Sequence, residues 1–177
     1  MDKITYKKYK EMRNDKILTF LKNANLKERH QLVQGWNWDG DMAVLERISN
    51  SPDTDKATAL KIYWGADPFW QKQYASADDL PRHDWAISDY NFLNELESKY
   101  VSNFYKSQQF AYNPKNDENY DWTIANPSLE IKSEIPQIMF EKLIGEEILP
   151  NEELVEGIPP DIYKELSALY DLVEPKP

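Results

Sequence analysis

The chain has 177 residues and a formal net charge of −10, and a length of this order suits one domain that buries ~70% of its unfolded surface. The acidic balance argues against nucleic acid and anionic membranes as partners, because both bind basic surfaces. The sequence has no cysteine and no apolar run approaching the ~18 residues of a membrane span, which excludes disulfides, thiol catalysis and cysteine metal sites and predicts a soluble, cytoplasmic protein.

The first predicted element is a basic amphipathic helix over about residues 5–25, where apolar side chains recur at helical spacing. Residues 1–29 carry 9 Lys and Arg against 4 Asp and Glu. Such a helix can bind a membrane surface or nucleic acid. Since the rest of the chain is strongly acidic, we favour a packing helix whose lysines face carboxylates of the same molecule. A second, short helix follows over residues 26–35, with His30 in a surface or capping role.

Two short helices joined by a polar turn form the centre of the chain, between Trp36 and Pro68. Residues 39–41 offer carboxylates that cap the first of them. Residues 57–64 are apolar on more than one face, so the second helix is expected to be buried on two sides. Gly65 is predicted to end it in the left-handed conformation, and Pro68 prevents its continuation.

The residues of this helix pair carry a family resemblance. Trp36-x-Trp-Asp, followed by Thr58-Ala-Leu-x-Ile-Tyr-Trp-x-Ala-Asp-Pro68, resembles a bacterial family catalogued as domain of unknown function 4274, over approximately residues 32–74. The resemblance implies a small helical core module of bacterial origin. The family has no established catalytic residues to transfer. Such domains recur near toxin and immunity genes, so the resemblance also implies an immunity-type role, and type VI secretion is the expected setting.

The remaining elements complete a mainly α fold. The longest helix is predicted from Trp85 or Ser88 to about Ala111, with an apolar stripe on one face. Eight of the 11 prolines lie beyond residue 110, so residues 113–177 are interpreted as an irregular, Pro-rich and acidic C-terminal extension. Within it the patterns allow a short β-hairpin near residues 122–132 and predict helices over residues 135–143 and 161–173. The sequence thus predicts a single-domain helical array or bundle of about six or seven helices.

One loop begins like a calcium-binding loop. Asp117-x-Asn119-x-Asp121 alternates oxygen ligands as an EF-hand does. The match then fails, because Trp122 replaces the required glycine and Ser128 the bidentate glutamate. No metal site is therefore predicted.

The most interaction-like feature is a run without a basic residue, from Leu143 to Tyr163. Carboxylates can steer a basic partner, while interspersed apolar side chains can supply buried contact area. The alternative is an ordinary solvated loop whose apolar residues hold it to the core. The candidate partner-binding residues, taken from this run and the preceding loop, are Glu146, Glu147, Glu152, Glu153, Glu156, Asp117, Asp121 and Trp122.

Signatures of common enzymes are missing from the sequence. It has no Gly-rich phosphate loop and no His/Glu metal motif, and it has only two histidines, so no catalytic residue and no cofactor is predicted. The sequence favours a small, acidic, cytoplasmic protein-binding protein. The specific hypothesis is an immunity protein that masks the active site of a basic cognate toxin or effector. A regulatory or scaffolding helical module is one alternative, and a carboxylate-dependent hydrolase is another, because two acids at the correct separation suffice for glycoside hydrolysis.

Overall fold

A computed structural model describes residues 3–38 and 41–174, except for the side chain of Asp84. Within these ranges the chain forms seven α-helices and two short 3₁₀ helices, and its β-structure consists of isolated bridges. The mainly α prediction is therefore confirmed. No helix of the described residues is long and apolar enough to cross a membrane. The α-helices are α1 (Tyr6–Asn23), α2 (Leu26–Gln34), α3 (Ala43–Ser49), α4 (Lys56–Gly65), α5 (Pro68–Lys72), α6 (Asp84–Val101) and α7 (Pro160–Tyr170).

The chain divides into two compact units, with the boundaries inside α3 and after residue 148. The terminal unit consists of residues 1–47 and 149–177, and the central unit of residues 48–148. The expectation of a single domain stays a prediction.

In the terminal unit, α1 packs against α7. The Thr5 hydroxyl caps α1 by accepting the N–H of Lys8 at 3.2 Å, and Ile17 and Leu21 are buried. As expected for a basic packing helix, Lys16 pairs with a carboxylate of the same molecule, Glu165 on α7.

Helix α2 confirms the predicted short second helix but not the position of its histidine. Asn25 and Glu28 form a capping box at its start. A surface role for His30, one of the two predicted, is wrong, because the residue is only 2% exposed, whereas the capping role stays a prediction. His30 and Val33 lie three residues apart, and this spacing places both on the buried face of α2.

The central unit is built around α4, in which every residue from Ala57 to Trp64 is buried. Burial on two sides is thus confirmed, and α6 packs on this helix. The predicted caps Asp39 and Gly40 of the preceding helix lie outside the described residues, while the Asp41 carboxylate accepts the N–H of Ala43 at 2.9 Å.

Helix α4 ends at Gly65, as predicted, but the left-handed conformation predicted for this residue is wrong. Gly65 is still helical, and the left-handed residue is Asp67, at a φ of 52°. Aspartate tolerates this conformation because its side chain bonds locally, and here it accepts the N–H of Trp70 at the start of α5. Pro68 begins α5, as the first position of a helix allows.

The longest predicted helix, from Trp85 or Ser88 to about Ala111, begins at Asp84 in the structure, and its predicted end is wrong. Helix α6 ends at Val101, and Asn103 adopts a φ of 58° that a continuing helix does not permit. Beyond Asn103 the chain forms isolated β-bridges. Their backbone hydrogen bonds include those from the Lys56 N–H to the Ser107 carbonyl oxygen (2.9 Å) and from the Leu143 N–H to the Tyr112 carbonyl oxygen (2.8 Å).

The suggested hairpin near residues 122–132 is not formed, and these residues are turns and irregular backbone. Asp121 and Asn126 each accept the backbone N–H two residues ahead, at 2.9 and 3.0 Å. Such local bonds compete with strand pairing. The helix predicted over residues 135–143 is reduced to a 3₁₀ helix at Gln137–Phe140, whereas α7 confirms the last predicted helix.

Buried tyrosines make the central unit sensitive to alkali. Burial raises the pKa of Tyr63, Tyr100, Tyr105 and Tyr112 above the ordinary value of 10.0. Their contribution to stability is fully present below pH 10 and is lost as pH rises through the raised values, because only the unfolded chain releases these protons. We expect tyrosinate absorbance from these residues to appear together with loss of the helical circular dichroism signal. Tyr100→Phe should move the alkaline midpoint upward, and tyrosinate formation without unfolding would contradict the burial.

Candidate functional site

Two of the predicted partner-binding residues, Asp117 and Trp122, lie together in internal contacts. The Asp117 carboxylate accepts both bonds of the Lys61 ammonium, at 2.8 and 2.7 Å, and the indole N–H of Trp122 at 2.9 Å. Lys61 is only 7% exposed. Asp121 instead bonds the backbone and hydroxyl of Thr123, which lowers the pKa of its carboxyl. Asp117 therefore fastens this loop to α4, and its oxygens are already engaged.

Glu146 and Glu147 are exposed in the central unit. The two isoleucines that flank these glutamates differ in burial. Ile148 is 5% exposed, whereas Ile144 is 73% exposed. One apolar side chain thus holds the segment in place, and the other stands in solvent beside the two carboxylates.

Glu152 and Glu153 are exposed in the terminal unit. Leu149, which precedes them, is 68% exposed, whereas Ile158 is 1% exposed. The same pattern of an anchored segment with a solvent-facing apolar residue therefore occurs in both units.

Glu156 differs from the other glutamates because it lines a cleft. The cleft belongs to the terminal unit, has a volume of about 470 Å³, and lies between one face of α1 and one face of α7. The α1 face is set by helical spacing and consists of Tyr6, Tyr9, Lys10, Arg13 and Asn14. The α7 face has the same spacing and consists of Tyr163, Leu166, Ser167 and Tyr170.

Oppositely charged side chains face each other in this cleft without forming hydrogen-bonded ion pairs. The Arg13 guanidinium lies 4.0 Å from the Glu156 carboxylate and 5.1 Å from the centre of the Trp36 ring. The Lys10 ammonium lies 4.0 Å from the Asp41 carboxylate. Burial raises the pKa of Tyr9, although the nearby Arg13 opposes that rise. In the described part of the chain, the cleft therefore combines two cations, two anions and aromatic walls.

The residues that carry the family resemblance serve packing and capping. Trp64 is fully buried and donates its indole N–H to the Met139 carbonyl at 2.9 Å. Asp67 caps α5, which Pro68 begins. Residues 24–101 match the family model described as Domain of unknown function (DUF4274). No curated protein and no solved structure matches the chain.

The match confirms the predicted resemblance and extends it beyond residues 32–74 in both directions. The DUF4274-like segment runs from the capping box of α2 to the end of α6 and covers less than half of the chain. The family description assigns no activity. The glutamates of the acidic run lie outside the matched segment.

An aromatic cluster within the DUF4274-like segment, in which Trp85 and His83 are exposed and Trp70 and Tyr74 are half-buried, was not predicted from the sequence. Trp85 is 54% exposed, its ring centre lies 5.5 Å from that of Trp70, and it stacks on His83 at 5.8 Å. Tyr74 packs edge-on to Trp70 at 5.3 Å. The exposure of Trp85 could have been predicted from its position, because it lies one residue before Ala86, where the inward stripe of α6 begins.

Among residues 3–38 and 41–174, no group of three or more His, Asp or Glu side chains is placed to hold a metal ion. The arrangement instead offers surfaces for binding, namely the exposed glutamates with their apolar neighbours, the aromatic cluster and the charged cleft.

Proposed function

We propose that the protein is a cytoplasmic immunity protein that neutralises a cognate bacterial toxin by binding it and masking its active site. The observation that carries the proposal is the exposure of Ile144 and Leu149, at 73% and 68%, within a run that has carboxylates and no basic residue. In an ordinary loop such apolar side chains pack on the core. Ile148 and Ile158 do so here, which leaves Ile144 and Leu149 available to a partner.

The chemistry of this run fits a basic protein partner. Exposed carboxylates accelerate the encounter with a positively charged surface, and adjacent apolar side chains slow dissociation once water is excluded. A toxin that acts on an anionic substrate has a basic active cleft, because such clefts concentrate their substrates electrostatically. Covering that cleft with acidic surface would block it without any chemical reaction by this protein.

The aromatic cluster supports the same proposal independently of charge. Tryptophan and tyrosine are enriched among the residues that dominate binding energy at interfaces. Trp85, Trp70 and Tyr74 are held by mutual ring contacts, so they lose little conformational freedom on binding. They are suitable anchors for a protein partner.

Charge reversal tests the proposal. Two variants, Glu146→Lys with Glu147→Lys and Glu152→Lys with Glu153→Lys, probe the two parts of the run separately. Tagged protein is used to capture partners from the native host at moderate salt, and the captured proteins are identified by mass spectrometry. We expect the wild type to recover one basic protein in stoichiometric amount, and at least one variant to bind it about tenfold more weakly or worse.

The matched control is Asp53→Lys with Asp78→Lys, which changes net charge equally at exposed positions outside the run. It should retain the partner, and all variants should keep the wild-type circular dichroism spectrum. Equal capture by both glutamate variants and the wild type would remove the run from the interface. Failure of the wild type to capture any partner would contradict the binding function itself.

A further inference from the structure

We propose that the cleft between α1 and α7 binds a free α-amino acid with an aromatic or large apolar side chain. In this arrangement Arg13 holds the ligand carboxylate, Glu156 holds its ammonium group, and the tyrosines contact its side chain. This small-molecule site uses Glu156 of the acidic run, but none of the four glutamates that are tested for the protein partner lines it.

Arg13 is the first observation behind the proposal. Its side chain is only 13% exposed, and the nearest carboxylate among the described residues lies at 4.0 Å, beyond hydrogen-bonding distance. None of the described residues accepts a hydrogen bond from this guanidinium, which also faces the ring of Trp36. A guanidinium has five donors in a planar fork that matches a carboxylate. A ligand carboxylate would therefore satisfy donors for which the described residues supply no acceptor in the cleft.

Glu156 is the second observation, because its backbone is strained. It adopts a φ of 51° and Gly157 a φ of 73°, in a two-residue turn closed by mutual hydrogen bonds between Val155 and Ile158. Asparagine and glycine are the residues that favour these positions. Strain of this kind persists where the surroundings enforce it and is concentrated at ligand sites. Here it places the Glu156 carboxylate in the cleft, where the Asn37 amide donates to it at 3.3 Å.

The turn that carries Glu156 is fixed by a close backbone approach. A Cβ on Gly157 would lie 2.3 Å from the Leu32 carbonyl oxygen, and a Cβ on Gly35 would lie 2.3 Å from the Gly157 nitrogen. Only glycine permits these contacts. The carboxylate is therefore presented by a rigid support, as a preorganised binding group requires.

The balance of charge in the cleft selects the class of ligand. Among the residues that the structure describes, Lys10 and Arg13 face Asp41 and Glu156, so two positive groups are matched by two negative ones. A ligand with only one kind of charge would be repelled by half of these groups. A zwitterion can place each of its charges beside the opposite one, and the α-amino acid is the smallest biological molecule with that arrangement.

The walls select the side chain of the ligand. Tyr9 and Tyr170 pack edge-to-face at 5.2 Å, and the buried Leu166 and Ile158 also line the cleft. Such surfaces favour an aromatic ring or a large aliphatic group. A volume of about 470 Å³ is ample for an amino acid and lies within the usual range for small-molecule sites.

The test is isothermal titration calorimetry of the full chain with phenylalanine, tyrosine, tryptophan, leucine and glycine. Phenylalaninamide, which lacks the carboxylate, and N-acetylphenylalanine, which lacks the ammonium group, are the analogue probes. We expect saturable binding of at least one aromatic or large apolar amino acid with a Kd of about 1 mM or tighter. Glycine and both analogues should bind at least about tenfold more weakly.

Variants assign each end of the ligand. Arg13→Gln should weaken amino-acid binding about tenfold or more and leave the affinity for phenylalaninamide unchanged. Glu156→Gln should weaken amino-acid binding and leave the affinity for N-acetylphenylalanine unchanged. Lys16→Gln is the matched control, because Lys16 is on α1, pairs with Glu165 and does not line the cleft. It should bind as the wild type does.

Three results would overturn the proposal. They are the absence of saturable binding across the panel at ~10 mM, equal affinity of the wild type for phenylalanine and both analogues, and unchanged binding by Arg13→Gln. The analogue comparison uses the wild type alone, so the test stands even if a variant fails to fold. A failure here leaves the proposed immunity function untouched, since partner capture by the glutamate variants is measured separately.

Discussion

Asp117→Ala is expected to lower the free energy of unfolding by about 3–5 kcal/mol, because it leaves the Lys61 ammonium buried without its counter-charge. The side chains of Lys61 and Asp117 are 9% and 13% exposed. The same change removes the acceptor of the Trp122 indole and of the Tyr112 hydroxyl. The measurement is urea unfolding followed by far-ultraviolet circular dichroism.

Two further variants separate the buried charge from general damage to the loop. Glu118→Ala, at a side chain that is 60% exposed and 4.0 Å from Lys61, should cost less than about 1 kcal/mol. Adding Lys61→Met to Asp117→Ala should restore part of the loss, because no buried charge then remains unpaired. Equal effects of Asp117→Ala and Glu118→Ala would contradict the structural role assigned to Asp117.

Trp64→Ala is expected to destabilise the protein by about 3–5 kcal/mol, the range for removal of a large aromatic side chain from a core. Trp64 is 0% exposed and packs on Tyr63, Phe69 and Phe140 with ring centres 5.2–5.8 Å apart. Its loss also leaves the Met139 carbonyl without its donor. Urea unfolding measures the change.

Trp85→Ala is the control for that variant, since both substitutions remove an indole from the DUF4274-like segment. Trp85 is 54% exposed, so its removal should cost no more than about 1 kcal/mol. Similar losses at Trp64 and Trp85 would show that burial does not distinguish the two tryptophans and would contradict the core described for α4.

Much of the helical structure was predictable because its determinants are local. The Asn25–Glu28 capping box and the apolar run of α4 are signals within a few residues of the elements that they define. The errors arose where a single side chain overrides a pattern. Asn103 ends α6 although Phe104 continues the apolar stripe, and the local bonds of Asp121 and Asn126 prevent a hairpin in residues that alternate like strands.

The residues of the candidate sites also differ in how far the sequence could predict their surroundings. Exposure of Glu152 and Glu153 follows from charge and could be predicted. The engagement of Asp117 could not, because its partner Lys61 is 56 residues away in the sequence. The cleft was also beyond prediction, since it requires α1 and α7, from opposite ends of the chain, and an unusual backbone conformation at Glu156.

Growth rescue measures directly whether the protein neutralises a toxin. The captured partner is expressed in a bacterial host alone and then together with this protein or with its glutamate variants. We expect that the partner alone arrests growth, that the wild type restores growth, and that the variants deficient in capture restore it poorly. A partner that is harmless when expressed alone would contradict the immunity function and favour a regulatory or scaffolding role for the same complex.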